Sequence, residues 1–339
     1  MKAIVFDSRD YDRIALERAN AAFGHPLTFL DSRLDPTTAA LAQGFPAVIP
    51  FVNDQLDVVT LTSLAAGGTR LIAMRCTGVN NLDLAAAHRL GLRVVHVPTY
   101  SPHSVADYVF ALLLSLVRRI PQAYNRVRDS NFSVEGLIGF DLYGKTFGLI
   151  GAGRIGREVA RIAHGFGCRI IAYDPFPPPV APDSPPIAFL PLDTVIAQSD
   201  ILSLHAPLTP ENIHLINAAR LAAMKPGVIL INTSRGGLID THALIAALKD
   251  RQIGGVGLDV YEREASVFYN DLSDEILADD TLARLLTFRN VLVTSHMGFL
   301  TREALSDIAR VTLANLTAFE HDQPLTYELA PAPAAAPAP

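Results

Sequence analysis

Three segments of this 339-residue chain place polar, chemistry-bearing side chains directly after apolar runs. Leu230-Ile231-Asn232-Thr233-Ser234-Arg235-Gly236-Gly237 delivers an arginine, and Gly257-Leu258-Asp259-Val260-Tyr261-Glu262-Arg263-Glu264 delivers three carboxylates. Val293-Thr294-Ser295-His296-Met297-Gly298 delivers a histidine. Open α/β sheets place ligands at the ends of such strands. An arginine, a carboxylate and a histidine beside a nicotinamide are the set needed to reduce a 2-oxo acid. The guanidinium forks onto the substrate carboxylate and polarises its carbonyl. The imidazole supplies the proton, and the carboxylate orients and charges the imidazole. Each residue also has a plainer reading. Arg235 could be a structural ion-pair partner, Glu264 one of a solvated acidic run, and His296 a satisfied strand-end histidine. Their succession after a nucleotide-binding fingerprint makes the combination specific.

That fingerprint is Gly151-Ala152-Gly153-Arg154-Ile155-Gly156. It follows the apolar strand Phe147 to Ile150 and precedes helical spacing through Val159, Ile162 and Ala163. In this context Gly151 allows a tight turn, Gly153 lets the backbone approach a pyrophosphate, and Gly156 lets helix and strand pack closely. The helix start adds free N–H groups and the positive end of its dipole. A second strand, Arg169 to Tyr173, ends in Asp174, where a ribose-binding carboxylate is expected. The plainer alternative makes Asp174 a turn residue beside Pro175. As a ribose ligand it would repel a 2′-phosphate, and no arginine follows within several positions. NAD is therefore expected rather than NADP.

Positioning these residues requires buried parallel strands. Ala3 to Phe6, Ala47 to Phe51, Leu71 to Met74 and Val94 to Val97 read as strands with helical segments between them. Continuous apolar strands alternating with helices predict an α/β fold of two Rossmann-like or flavodoxin-like domains, with parallel sheets and a cleft between the domains. Ser101-Pro102 makes a good N-cap and N1 pair for a long apolar helix to Leu116. A last helix, about Arg302 to Leu316, is too short to be a domain and is expected to pack back on the first unit. The expected division is residues 1–99 plus 299–330 as a discontinuous domain and 100–298 as the nucleotide domain. Residues 331–339 contain only Ala and Pro and are expected to be a disordered tail.

Composition narrows the function classes. Half the residues are apolar and 18% are charged, which excludes a disordered chain. The longest apolar run, Tyr108 to Val117, is too short to cross a bilayer, and the start of the chain lacks a signal-peptide stretch. The net charge of −6 is dispersed, so neither nucleic acid nor membrane is an expected partner. Cys76 and Cys168 are the only cysteines, too few for a disulfide framework or a cysteine metal site. The expectation is a cytoplasmic enzyme acting on a small molecule, with no metal.

The chain resembles the D-isomer-specific 2-hydroxyacid dehydrogenases, and within them the lactate branch. The resemblance runs from Met1 to about Leu325. It rests on Arg75-Cys76-Thr77-Gly78-Val79-Asn80-Asn81-Leu82-Asp83, on Gly151 to Gly156, and on His205-Ala206-Pro207-Leu208-Thr209-Pro210-Glu211-Asn212. It continues through Asn232 to Gly236, Leu258 to Glu264 and His296 to Thr301. The stretch from Asp259 through Phe268-Tyr269 to Asp280 is similar to the lactate branch in particular.

The resemblance implies roles. Arg235 would bind substrate, His296 would be the acid/base and Glu264 would pair with it. The Gly78 and Val79 amides would hold the substrate carboxylate, and Tyr100 would reach the substrate from the hinge. Gly78 could instead be only a turn glycine, and Tyr100 could simply pack the hinge. Arg154 and Ile155 would lie on the pyrophosphate, and Asp174 on the adenosine ribose. Pro207, Asn212 and Thr233 would line the cofactor, and Asp259 would contact the nicotinamide carboxamide. The implied reaction is reversible reduction of pyruvate to D-lactate with NADH, in a homodimer or homotetramer. Larger 2-oxo acids such as phenylpyruvate or 2-oxoisocaproate are the alternative substrates. A binding protein that senses NAD, like the corepressors built on this scaffold, is the alternative of another class.

Overall fold

The computed structural model describes residues 1–179 and 184–330. The expected tail at 331–339 lies outside the described residues. The chain divides into two compact units, Met1–Ser101 with Leu300–Pro339, and Pro102–Phe299.

Unit 1 holds five parallel strands: β1 (Ala3–Val5), β2 (Leu27–Phe29), β3 (Ala47–Ile49), β4 (Leu71–Ala73) and β5 (Arg93–Val95). Their spatial order is β2-β1-β3-β4-β5, the flavodoxin-like arrangement. Helices α1 (Asp10–Asn20), α2 (Val58–Ala66) and α3 (Leu84–Arg89) connect them. Strands β1, β3 and β4 are buried along their whole length, which explains their unbroken apolar sequences. Edge strand β2 is three residues long with a polar centre, Thr28, and offers no such signal.

Unit 2 holds seven parallel strands: β6 (Thr146–Ile150), β7 (Arg169–Tyr173), β8 (Ile187–Phe189), β9 (Ile201–Leu204), β10 (Val228–Asn232), β11 (Ile253–Leu258) and β12 (Val291–Val293). The order β12-β11-β10-β9-β6-β7-β8 contains the doubly wound Rossmann arrangement, extended by β12. The direction of winding reverses between β6 and β9, which is where such sheets open a crevice. One face is covered by α4 (Pro102–Val117) and α6 (Arg154–Gly165), through Val109, Leu113, Val159 and Ala163. Between them in sequence lies α5 (Ile120–Arg128). The other face carries α7 (Leu192–Gln198), α8 (Ala218–Ala223), α9 (Thr241–Lys249) and α10 (Asp280–Leu286) over Ile171, Leu202, Leu230 and Val256.

The last helix, α11 (Arg302–Glu320), belongs to unit 1. Thr301 caps it by accepting from the Ala304 N–H at 3.2 Å. Its Ala309, Leu313 and Leu316 are buried against Ala3, Val5, Ala47 and Leu71. Unit 1 is thus discontinuous in sequence, because its sheet needs this helix to cover one face. No described helix is long and apolar enough to cross a membrane.

Candidate active site

The chemistry-bearing residues of unit 2 stand at the C-terminal ends of β6, β7, β9, β10, β11 and β12. The dinucleotide turn follows β6. Gly151 has φ +95° and lies so close to His205 that a Cβ would approach its carbonyl carbon and oxygen to 2.8 Å. Only glycine meets both conditions. A Cβ on Gly156 would overlap the Gly151 carbonyl, so this glycine lets α6 start directly against the turn. A Cβ on Gly153 would meet nothing within 4 Å, so the position faces open space. Gly153 precedes α6 without capping it through a side chain, leaving the first N–H groups for an anion. Arg154 is exposed at the first helical position and Ile155 is half-buried behind it.

Asp174 stands directly after β7. Its Oδ2 accepts from the Ala152 N–H at 2.8 Å and its Oδ1 from the Phe176 N–H at 2.9 Å. The carboxylate therefore ties the glycine turn to the neighbouring strand and keeps one acceptor position on each oxygen. Two polar atoms just after β9 and β10 are buried without a hydrogen-bond partner among the described residues: His205 Nδ1 and Thr233 Oγ1. Buried orphans are rare in folded proteins and fit a site completed by a polar ligand. His205 Nε2 lies 2.9 Å from Ser203 Oγ, and burial pushes its pKa down to about 4, so the ring is neutral. Asn212 closes the loop after β9, donating to the Pro207 carbonyl at 2.7 Å and accepting from the Thr209 N–H at 2.8 Å. Pro207 is exposed beside it. The open cradle, uncapped helix start and orphaned polar atoms all fit a bound dinucleotide.

The three carboxylates after β11 have separate tasks. Glu264 Oε1 lies 2.9 Å from His296 Nδ1, and its Oε2 accepts from the Tyr261 N–H at 2.9 Å. Glu262 is engaged elsewhere, with His214 Nε2 at 2.5 Å and Thr241 Oγ1 at 3.0 Å. Asp259 is 1% exposed. It accepts from Thr294 Oγ1 at 2.7 Å, from the Met297 N–H at 2.9 Å and from the Gly298 N–H at 2.8 Å. Burial pushes its carboxyl up, against the pull of these donors. Asp259 therefore clamps the two amides that follow His296. That clamp matters because His296 has φ +55°, an uncommon conformation for a residue with a side chain. Tyr269 Oη secures it further by donating to the His296 carbonyl at 2.8 Å.

Arg235 follows β10 and is half-buried. Asn232 holds its carbonyl through Nδ2 at 2.9 Å, and its Nη1 donates to the Ser234 carbonyl at 2.7 Å. The next residue, Gly236, packs on the backbone of Tyr261 and Glu262 so tightly that a Cβ would overlap it. The arginine loop is thereby seated on the same segment that supplies Glu264. Unit 2 thus brings Arg235, Glu264 and His296 onto neighbouring strand ends.

Unit 1 carries Gly78, Val79 and Tyr100. Among the described residues, the Gly78 and Val79 N–H groups donate to no protein acceptor. Their loop is held by Cys76 Sγ on the Gly78 carbonyl at 3.1 Å and by Thr77 Oγ1 on the Val97 carbonyl at 2.8 Å. Arg75, 1% exposed, anchors the start of the loop. It pairs with Asp12 at 2.7 Å, donates to the Phe6 and Asp7 carbonyls, and lies 4.1 Å from the Phe51 ring centre. Tyr100 is half-buried near the end of the unit.

Sequence reasoning missed three supports of the site. Tyr269, Thr294 and the Tyr261 amide fix His296, Asp259 and Glu264, and no local pattern marks a hydroxyl or an amide for such a task. Among the described residues, no group of three or more His, Cys, Asp or Glu side chains could hold a metal ion.

Comparisons with known proteins agree with this geometry. Residues 110–298 match the family described as D-isomer specific 2-hydroxyacid dehydrogenase, NAD binding domain. The chain is 47% identical to the D-lactate dehydrogenase of Escherichia coli over 329 residues, 97% of this chain and 100% of that one. It is 42% identical to an aromatic 2-oxoacid reductase of Clostridium sporogenes, over 94% of this chain and 96% of the relative. The apo-structure of D-lactate dehydrogenase from Escherichia coli matches with a TM-score of 0.89 at 46% identity, covering 97% of this chain and 100% of that one. The chain belongs to the D-isomer specific 2-hydroxyacid dehydrogenases, a family of NAD-dependent oxidoreductases.

Proposed function

We propose that this protein is a D-lactate dehydrogenase that reduces pyruvate reversibly with NADH. The observation that carries this reading is the His296–Glu264 contact of 2.9 Å on strand ends adjoining the Arg235 loop. The full-length similarity to the Escherichia coli enzyme supports the choice of substrate.

A bound dinucleotide would supply the hydride. Gly151, Gly153, Gly156, Arg154 and Ile155 would receive its pyrophosphate, and the spare acceptor positions of Asp174 would receive the adenosine ribose. Thr233, Pro207 and Asn212 line its path, and the free acceptor position of Asp259 Oδ2 suits a carboxamide N–H. The Gly78 and Val79 amides hold the substrate carboxylate, with Tyr100 reaching the substrate. Arg235 polarises the keto oxygen and stabilises the negative charge that grows there. Protonated His296 neutralises that charge by giving up the Nε2 proton, while Glu264 holds Nδ1 and offsets the imidazolium charge. In lactate oxidation neutral His296 takes the hydroxyl proton at the same atom.

The similarity to the aromatic 2-oxoacid reductase gives a second reading, reduction of larger 2-oxo acids. Apolar pocket walls separate such substrates by only about 1–3 kcal/mol per methylene. We infer a homodimer or homotetramer from the exposed apolar side chains Tyr124, Phe132, Val134, Ile138 and Tyr143 of unit 2. A cytoplasmic location suits Cys76 and Cys168, which are free thiols.

The test is NADH oxidation with pyruvate, phenylpyruvate and 2-oxoisocaproate, with chiral analysis of the products. Highest kcat/KM on pyruvate with D-lactate formed supports the first reading. Preference for a larger acid supports the second, and an L-product overturns both.

A further inference from the structure

A cavity of about 590 Å³ opens at the end of the seven-stranded sheet opposite the dinucleotide turn. Five cationic side chains line it: Arg119, Lys249, Arg251, Arg284 and Arg289. No carboxylate lines it. Among the described residues none of the five forms a salt bridge. Arg284 stacks on Phe288, 4.9 Å from the ring centre.

The plain explanation is compensation of helix dipoles, since α4, α9 and α10 all end near these residues. It is too small. Each helix end is worth about half a charge, so three ends offset roughly one and a half of the five positive charges. A surplus of more than three remains, in a chain whose overall charge is −6. Concave walls concentrate that potential. Arg119 and Arg251 also sit at φ +55° and +59°, positions that glycine fills with less strain.

We propose that this cavity is a binding site for a small polyanion carrying two or more phosphate or carboxylate groups. Its volume is that of a small-molecule pocket, about 300–1,000 Å³. Strand β11 begins in the cavity wall at Ile253 and ends at Leu258, directly before Asp259. Strand β12 begins just after Asn290 in the same wall and ends two residues before Ser295-His296. A ligand here braces the far ends of the two strands that position the acid/base, about 20 Å away along β11. The site is independent of the reaction proposed above.

The test is titration calorimetry of the full-length protein at fixed ionic strength, with NADH saturating so that the dinucleotide turn is filled. Inorganic pyrophosphate and citrate are the two probes. Binding of pyrophosphate alone identifies a phosphate site, of citrate alone a carboxylate site, and of both a general polyanion site. The Arg251→Glu/Arg289→Glu variant should bind the same probe more weakly, by about ten-fold or more for each guanidinium that had bonded the anion. Arg251→Lys/Arg289→Lys should retain most of the affinity, which guards against a folding defect. Without the probe, both variants should keep wild-type kcat. If neither probe binds wild type, or if charge reversal leaves binding unchanged, the proposal fails. It fails equally if charge reversal alters only the oligomeric state, because the cations would then serve a subunit contact.

Discussion

Gly236 and Tyr261 meet backbone to backbone, with no room for a Cβ on the glycine. The contact seats the Arg235 loop on the segment whose Tyr261 amide holds Glu264 at 2.9 Å. The placement of the Arg235 loop and the support of Glu264 are therefore set by one packing contact.

Gly236→Ala should displace Arg235 without removing any reacting group. A misplacement of about 1 Å costs about a hundred-fold in rate, so kcat/KM for pyruvate should fall on that scale. NADH affinity should change less, because the pyrophosphate and ribose contacts proposed at the ends of β6 and β7 lie away from Gly236. Fluorescence titration of NADH beside steady-state kinetics checks this. Equal losses in cofactor binding and turnover would mean that the whole domain has shifted.

Asp174 has a structural task that the glycine pattern does not reveal, since it holds the Ala152 amide. Asp174→Asn keeps an acceptor for that amide and removes the charge that repels a 2′-phosphate. The preference for NADH over NADPH in kcat/KM should narrow by about ten-fold or more, the worth of a charged hydrogen bond. Asp174→Ala should narrow it too, with a lower thermal midpoint because the turn loses its tie. An unchanged cofactor ratio in both variants would remove Asp174 from the ribose site.

Asp54, 1% exposed, accepts from the Leu34 N–H at 2.7 Å and the Phe51 N–H at 2.6 Å. Burial raises its pKa from 3.8 to about 6. The folded state then binds more protons than the unfolded state between about pH 4 and 6, so this group makes stability fall as pH rises through that window. The burial of His205 acts with the opposite sign, because its folded pKa is lowered. Comparing Asp54→Asn with wild type isolates Asp54. The variant carries a constant cost from losing one of the two acceptors, but relative to wild type it should gain about 2–3 kcal/mol between pH 4 and pH 7. Urea unfolding at the two pH values measures this. A constant difference would mean that Asp54 carries no such penalty.

Much of the site is legible in the sequence because its chemistry sits where buried strands end, and buried parallel strands leave unbroken apolar runs. Arg235, Asp259 and His296 stand out that way, and the glycine turn by its spacing between strand and helix. Edge strand β2 leaves no run, since it is only partly buried and has Thr28 at its centre. The first turn of α1, from Asp10, is polar and carries no apolar period, so its start leaves no trace in the pattern. The residue pattern alone does not choose among Asp259, Glu262 and Glu264. That choice depends on which partner each carboxylate meets after folding: a pair of loop amides, His214 or His296. The supports from Tyr269 and Thr294 come from 27 and 35 residues away, respectively, and leave no local trace.

Steady-state kinetics of Glu264→Gln, His296→Ala and the double variant test most directly whether Glu264 acts through His296. Glu264 Oε1 lies 2.9 Å from His296 Nδ1, so its loss should matter only while the ring is present. Glu264→Gln alone should lower kcat/KM for pyruvate by about ten-fold or more, the worth of a charged hydrogen bond. In the His296→Ala background the same change should cost little further, because groups that act as a unit are not additive. If the two losses add fully, Glu264 only supports the fold and the pairing has no part in proton transfer.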